Sequence, residues 1–124
     1  MTALEKAHAA YGASIRVSRS PRDIEFDVLA RVTKRLRAAS GPDAPFPELV
    51  SAVHDNRALW NLFALDLSLP TNGLPKELRD RLLSLARFID DHSSKVLKNA
   101  ATTDALIDIN TAVMRGLRPT EAQP

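Results

Sequence analysis

The run Asp90-Asp91-His92 places three titratable side chains next to one another. Carboxylates and imidazoles are the groups that general acid–base catalysis uses most often. The run falls within a predicted helix, however, and consecutive helical residues point about 100° apart, so the three side chains diverge. We therefore interpret it as a solvated charged stretch of helix. A hydrolase that uses His92 with Asp90 or Asp91 is the alternative, which this spacing does not favour.

Other patterns of catalytic or metal-binding residues are missing from the sequence. The three histidines, His8, His54 and His92, lie on three different predicted helices, and none has a second ligand three or four residues later inside an apolar stripe. The chain has no cysteine, which excludes disulfides, thiolate metal sites and thiol nucleophiles. The four glycines are scattered and form no phosphate-binding loop. We therefore expect no catalytic residue, metal or cofactor, and a protein that is not an enzyme and has no small-molecule substrate.

Length and composition are those of an ordinary soluble domain. The chain has 124 residues, of which 44% are hydrophobic and 26% charged, and a domain of this length buries roughly two-thirds of its unfolded surface. Glu5, Lys6 and His8 interrupt the N-terminal stretch where a secretory signal needs an apolar core, and no later run is long enough to span a membrane. We expect a cytoplasmic protein without membrane insertion.

Apolar residues recur at helical spacing along nearly the whole chain, and no segment shows sustained strand-like alternation. The pattern predicts five helices, at about residues 3–13, 21–40, 48–69, 75–99 and 103–116. Short connections favour an all-α bundle with an antiparallel C-terminal three-helix core and the helix at 21–40 packed across it. Residues 1–124 are predicted to form one domain, with 1–19 as a mobile arm and 119–124 as a frayed tail.

The predicted helix at 48–69 is apolar on two sides. Its core stripe, within about 40° of one line, consists of Leu49, Val53, Trp60, Phe63 and Leu67. Leu62, Leu65 and Leu69 lie about 180° from that line. Either the preceding helix and the N-terminal arm cover this second face, or it stays open for a partner. The helix is followed by Asn72-Gly73 between two prolines, a pair that predicts a turn because both residues tolerate positive φ.

Three polar residues, Asn56, His92 and Asn110, fall inside the predicted core stripes. A buried amide or imidazole without a partner costs about 1 to 3 kcal/mol, so each is expected to form a hydrogen bond across the bundle. We interpret them as structural residues that fix the register of the helices. A polar patch at a binding groove is the alternative.

Basic residues are concentrated between positions 16 and 37, where seven bases stand against three acids. An RNA-binding face is one interpretation. Phe26 is the only aromatic residue in this range, so bases have almost no platform on which to stack. The order of the charges is also the order that the helix dipole favours. With a net charge of only +2, the chain gives RNA binding little support.

Five segments, taken together and in this order, resemble the FlaF family of small flagellar biosynthesis proteins of alphaproteobacteria. They are AYG at 10–12, SPRDIEFDVLARVT at 20–33, NRALWNLFALDL at 56–67, NGLPKELRDRLLSLARFI at 72–89 and LIDINTAVMRGLR at 106–118. The combination is specific, although each segment alone is weak.

The resemblance implies a non-enzymatic role in flagellum assembly. It implies that the protein binds flagellin as an export or assembly chaperone, and works with FlbT in coupling flagellin synthesis to filament assembly. A small helical bundle with a spare apolar face suits a client helix that binds in a groove. The contact residues that we predict are Tyr11, Arg57, Leu62, Leu65, Leu69 and Arg79. The alternative is a post-transcriptional regulator that acts through FlbT or flagellin messenger RNA without direct flagellin binding.

Overall fold

A computed structural model describes residues 21–117, with side chains from 25 to 116. This part of the chain forms four helices, α1 Pro21–Ala39, α2 Phe46–Leu67, α3 Lys76–Leu97 and α4 Asp104–Leu117, and contains no strand. The all-α prediction is therefore confirmed. The helix predicted at 3–13, the arm at 1–19 and the tail at 119–124 lie outside the described residues.

The four helices run in alternating directions. Arg35 of α1 forms an ion pair with Asp55 of α2, while Ser40 at the end of α1 contacts Thr103 at the start of α4, with 2.6 Å between the hydroxyl oxygens. α1 thus lies antiparallel to both neighbours and packs against α4 more extensively than α3 does. The predicted three-helix core with a helix across it is replaced by a four-helix bundle, because the apolar face of α1 is as completely buried as the others.

Two helices end two residues before the predicted positions, at Leu67 and Leu97 instead of 69 and 99. α3 stops because Asn99 adopts a left-handed conformation with φ of 59°, and the N–H of Ala100 then donates to the carbonyl of Lys95 at 2.8 Å. After α2 the N–H of Leu69 donates to the carbonyl of Asp66, three residues back, at 3.2 Å. Leu69 is therefore not on the helix.

The centre of the bundle is apolar and receives side chains from every helix. Its largest fully buried apolar members are Leu29, Leu36, Val53, Trp60, Ile89, Val96 and Leu106. Trp60 is only 2% exposed, and Phe63 meets its ring edge-on, with 5.3 Å between the ring centroids. The prediction that Trp60 belongs to the core is confirmed.

A polar network crosses this apolar centre. Trp60 Nε1–H donates to Asn110 Oδ1 at 2.9 Å, and Asn110 Nδ2 donates to Asn56 Oδ1 at 2.8 Å and to Thr33 Oγ1 at 3.1 Å. An indole N–H can only donate, so it determines which end of the Asn110 amide faces it, and hence which end of Asn56 faces Asn110. The network joins α1, α2 and α4 in one register. It leaves Asn56 Nδ2 buried without a partner.

His92 does not take part in this network. It is half-buried, its ring stacks on Phe88 with 5.1 Å between the centroids, and its Nε2 lies 2.9 Å from the carbonyl oxygen of Thr102. The expected bond across the bundle is replaced by a bond to the α3–α4 connection. Its position on α3 is about 60° from the line of Ile89, far enough for the ring to lie at the edge of the core.

Replacing Asn110 by leucine tests the network, since Asn110→Leu keeps similar bulk but strands Trp60 Nε1 and Asn56 Oδ1. Because each stranded buried group costs about 1 to 3 kcal/mol, we expect the free energy of unfolding, measured by urea denaturation, to fall by at least about 2 kcal/mol. Asn61→Leu is the control: Asn61 is exposed on α2, and its replacement is expected to change stability by less than about 0.5 kcal/mol. Equal stability of the two variants would contradict the role given to Asn110.

Candidate protein-binding site

An apolar pocket of about 120 Å³ lies at the end of the bundle where α1 begins and α2 ends. Its apolar lining residues are Trp60, Phe63, Leu67, Leu74, Leu82 and Val113, and its polar ones are Glu25, Asp66 and Asn72. A slightly larger apolar cavity, of about 150 Å³, binds benzene. This end pocket is therefore suited to one large apolar or aromatic side chain from elsewhere.

The facing sides of α3 and α4 continue this apolar surface. These two helices are the least closely packed neighbours in the bundle, so the apolar residues along their seam are incompletely covered. On α3, Leu78 is 36% and Phe88 43% exposed, and Leu85 is partly buried, as are Ile109 and Val113 on α4. We call these five residues the α3–α4 groove. Val113 belongs to both features, so the groove leads into the end pocket.

The periodicity of the two helices explains why this seam stays open. Leu78 and Leu85 follow the line of Ile89, which points into the core, and Phe88 lies on the side of α3 toward α4, where it stacks on His92. On the opposing side of α4, Ala105 and Ala112 flank Ile109 at helical spacing. The α3 side of the seam thus carries larger apolar side chains than the part of α4 that holds these two alanines.

Two buried polar atoms near the end of α2 and the start of α3 lack a hydrogen-bond partner. Asp66 Oδ2 accepts a hydrogen bond from Asn72 Nδ2 at 3.3 Å, but Asp66 Oδ1 is buried and has no partner. Arg79 Nε is also buried without a partner. A buried polar atom without a partner is costly, so both atoms lower the stability of this end of the bundle.

The connection between α2 and α3 positions one wall of the pocket. Asn72 Oδ1 accepts the N–H of Leu74 at 3.0 Å, and Asn72 Nδ2 donates to the carbonyl of Asp66 at 3.3 Å. No glycine in the described range has a positive φ, so the turn depends on the asparagine side chain and not on the left-handed backbone that Asn72-Gly73 suggested.

One exposed ion pair marks the first turn of α3, beyond the pocket. Lys76 Nζ donates to Asp80 Oδ2 at 2.8 Å, and this hydrogen bond lowers the pKa of Asp80. The position of Asp80 is about 180° from the line of Ile89, so the pair lies on the side of α3 opposite the core. It takes no part in the apolar surface.

The three leucines predicted to form a contact face, Leu62, Leu65 and Leu69, do not form one exposed surface. Leu65 is 56% exposed, but it lies on the outer side of α2, away from the α3–α4 groove. Leu62 is half-buried, and Leu69 is half-buried beyond the end of the helix. Two further exposed apolar side chains, Leu78 and Phe88, lie on α3, which the periodicity of α2 alone could not reveal.

The remaining predicted contact residues have separate surroundings. Arg57 Nε donates to Asp90 Oδ1 at 2.9 Å, and its Nη2 to the carbonyl of Asp90, so its guanidinium joins α2 to α3. Arg79 is half-buried near the start of α3. Tyr11 lies outside the described residues. Of these three residues, Arg57 is therefore engaged within the bundle.

Fold and surface together define a small helical-bundle protein with an apolar surface suited to a protein segment. None of the helices from 21 to 117 is long and apolar enough to cross a membrane, and within that range no cluster of three or more His, Cys, Asp or Glu side chains is placed to hold a metal. The family model of the flagellar protein FlaF matches residues 7–117, and the chain belongs to this family. Comparison with curated proteins and with solved structures gives no significant match.

Replacing Asn72 by alanine tests how the pocket wall is held. Asn72→Ala removes the acceptor for the Leu74 N–H and the donor to Asp66, so we expect a loss of about 1 kcal/mol of local stability. That loss corresponds to roughly fivefold faster amide hydrogen exchange at Leu74. Thr71→Ala, at an exposed neighbouring position, should leave the exchange rate unchanged. Similar rates in both variants would show that the wall is held by other contacts.

Proposed function

We propose that this protein binds flagellin and holds a helical segment of it against the α3–α4 groove and the end pocket, as a chaperone for flagellin export or assembly. Membership of a flagellar protein family supports a role connected with the flagellum, and the resemblance described above implies flagellin as the partner. The observation that carries the proposal is the apolar surface offered by exposed Leu78 and Phe88 on α3 and by the end pocket that Trp60 lines.

The dimensions of the groove suit a short amphipathic helix. From Leu78 to Phe88 the wall on α3 spans ten residues, or about 15 Å at 1.5 Å per residue. A guest helix of about three turns would present residues at i, i+3, i+4 and i+7 to such a wall. Each large apolar side chain that is fully buried contributes about 1.5 to 3 kcal/mol, so a few anchors would suffice to mask the client before export.

Such a chaperone would also help to couple flagellin synthesis to filament assembly, because its occupancy reports how much unexported flagellin is present. FlbT is a further proposed partner in that coupling. The RNA alternative has less support from the described residues. Two of the bases on α1 contact other helices: Arg35 pairs with Asp55, and Arg37 donates to Thr111 at 3.2 Å.

The groove is tested by placing a charge on it and, separately, on the outer side of α2. Leu78→Glu and Phe88→Glu change exposed groove positions, and Leu65→Glu is the matched control at an exposed leucine outside the groove. We expect each groove variant to weaken flagellin binding, measured by isothermal titration calorimetry, at least tenfold, or about 1.4 kcal/mol. Leu65→Glu should stay within threefold of the unmodified chain.

Circular dichroism of all three variants gives the folding control, since binding may be compared only among folded proteins. A loss of binding confined to Leu65→Glu would place the contact on the outer face of α2. No flagellin binding by the unmodified chain, together with binding to flagellin messenger RNA that weakens steeply with salt, would favour the regulator instead.

A further inference from the structure

We infer that a second cavity, at the end of the bundle opposite the end pocket, binds a long basic side chain, lysine or arginine, of a protein partner. We call it the far cavity. Its volume is about 350 Å³, and its lining residues come from the ends of α1 and α3, the starts of α2 and α4 and the connections between these helices. The inference goes beyond the proposed function, because it concerns a different site and needs no flagellin.

One part of the lining of the far cavity is apolar. It includes Val96, a buried core residue of α3, together with Leu49 and Ala101, which are partly buried against the core. Phe46, the first residue of α2, also lines the cavity and is 48% exposed. A ligand with an apolar stem would cover these side chains and remove part of the Phe46 ring from water, which is favourable.

The other part of the lining is polar, and two of its side chains are free to bind a ligand. The hydroxyls of Ser40 and Thr103 contact each other. The amide of Asn99 and the carboxylate of Asp104 are exposed, and neither has a hydrogen bond or ion pair with the other described residues. Asp104 is the only ionisable residue of the lining. The cavity therefore offers a ligand a negative charge and no positive one.

A basic side chain matches both parts of this lining. Lysine and arginine carry a charged head on an apolar stem that lies readily along apolar surface. The head would pair with Asp104 and donate to Asn99 Oδ1, and an aromatic ring such as that of Phe46 attracts a cation over its face. An acidic ligand would be repelled by Asp104, and a purely apolar ligand would cover polar groups without bonding to them.

The far cavity is also large enough and separate from the end pocket. Since an apolar cavity of about 150 Å³ holds one benzene ring, the far cavity has room for a longer, unbranched chain. Leu49 lines the far cavity and Leu67 the end pocket. These residues are 18 positions apart on α2, or about 27 Å at 1.5 Å per residue. A side chain can therefore occupy one site while the other is filled.

Blocked amino acids serve as probes in a titration of the full-length chain, followed by nuclear magnetic resonance. N-acetyl-lysine N-methylamide should shift the methyl resonances of Leu49, Val96 and Ala101 and leave those of Leu82, at the end pocket, unchanged. The norleucine analogue, which has an apolar chain of similar length and no ammonium group, should bind at least threefold more weakly.

Equal affinity of the lysine and norleucine probes would overturn the inference, and so would shifts confined to the end pocket. n-Pentylamine carries the same ammonium group without a peptide backbone. Binding of n-pentylamine without binding of the blocked lysine would assign the cavity to free amines and would overturn the inference as well.

Two pairs of variants at exposed positions test the assigned residues. Asp104→Asn should abolish the preference for lysine over norleucine, whereas Asp108→Asn, one turn later on α4 and outside the lining, should retain it. Phe46→Ala should weaken binding of the lysine probe at least twofold, and Phe88→Ala, at an exposed phenylalanine outside the far cavity, should not. A preference that persists in Asp104→Asn would contradict the inference. Flagellin is absent from these experiments, so their failure would leave the proposed function to its own test.

Discussion

The hydrogen bond from Trp60 to Asn110 is the constraint on which the arrangement of the bundle depends. The indole offers a single donor and no acceptor, so its bond determines how Asn110 faces Thr33 on α1 and Asn56 on α2. Three helices are therefore held in register by directional bonds. α3 contributes no member to this network and is held by apolar packing, with Ile89 and Val96 at its centre, and at its edge by the bonds from Arg57 to Asp90. The helix that is free of directional bonds in the core is also the one that stands apart from α4.

Trp60 connects the core to the candidate site, because its indole N–H is used inside the bundle while its ring lines the end pocket. The floor of the pocket is thus fixed by the same bond that sets the register. A surface that is already ordered loses less conformational entropy when a partner binds. The rim differs from the floor: it is formed in part by the connection after α2, whose turn depends on the Asn72 side chain. The floor of the pocket is therefore held by the core network, and its rim by hydrogen bonds within the α2–α3 connection.

Much of the fold could be predicted from the sequence, because helical periodicity identifies which residues of each helix are apolar. Helical periodicity predicts Trp60 in the core and identifies Asn56 and Asn110 as polar residues on core stripes. Periodicity does not say which neighbour covers a given face. Exposure along the seam depends on how closely α3 approaches α4, and the sequence does not give that distance. The sequence therefore favoured the outer face of α2, and not the α3–α4 groove, as the contact surface. The predicted end of α2 was wrong for a similar reason: its leucine pattern continues to Leu69, but the helix ends at Leu67.

The bond between His92 and the carbonyl of Thr102 has a mechanical consequence. It ties α3 to the start of α4 at one extremity of the groove, next to the tight turn at Asn99. From this tied end the two helices extend side by side, with few contacts between them. A small change in the angle between α3 and α4 would produce its largest displacement at the end of the groove away from this tie, toward Leu78 and Val113. The hydrogen bond of His92 would oppose such a change at the tied end.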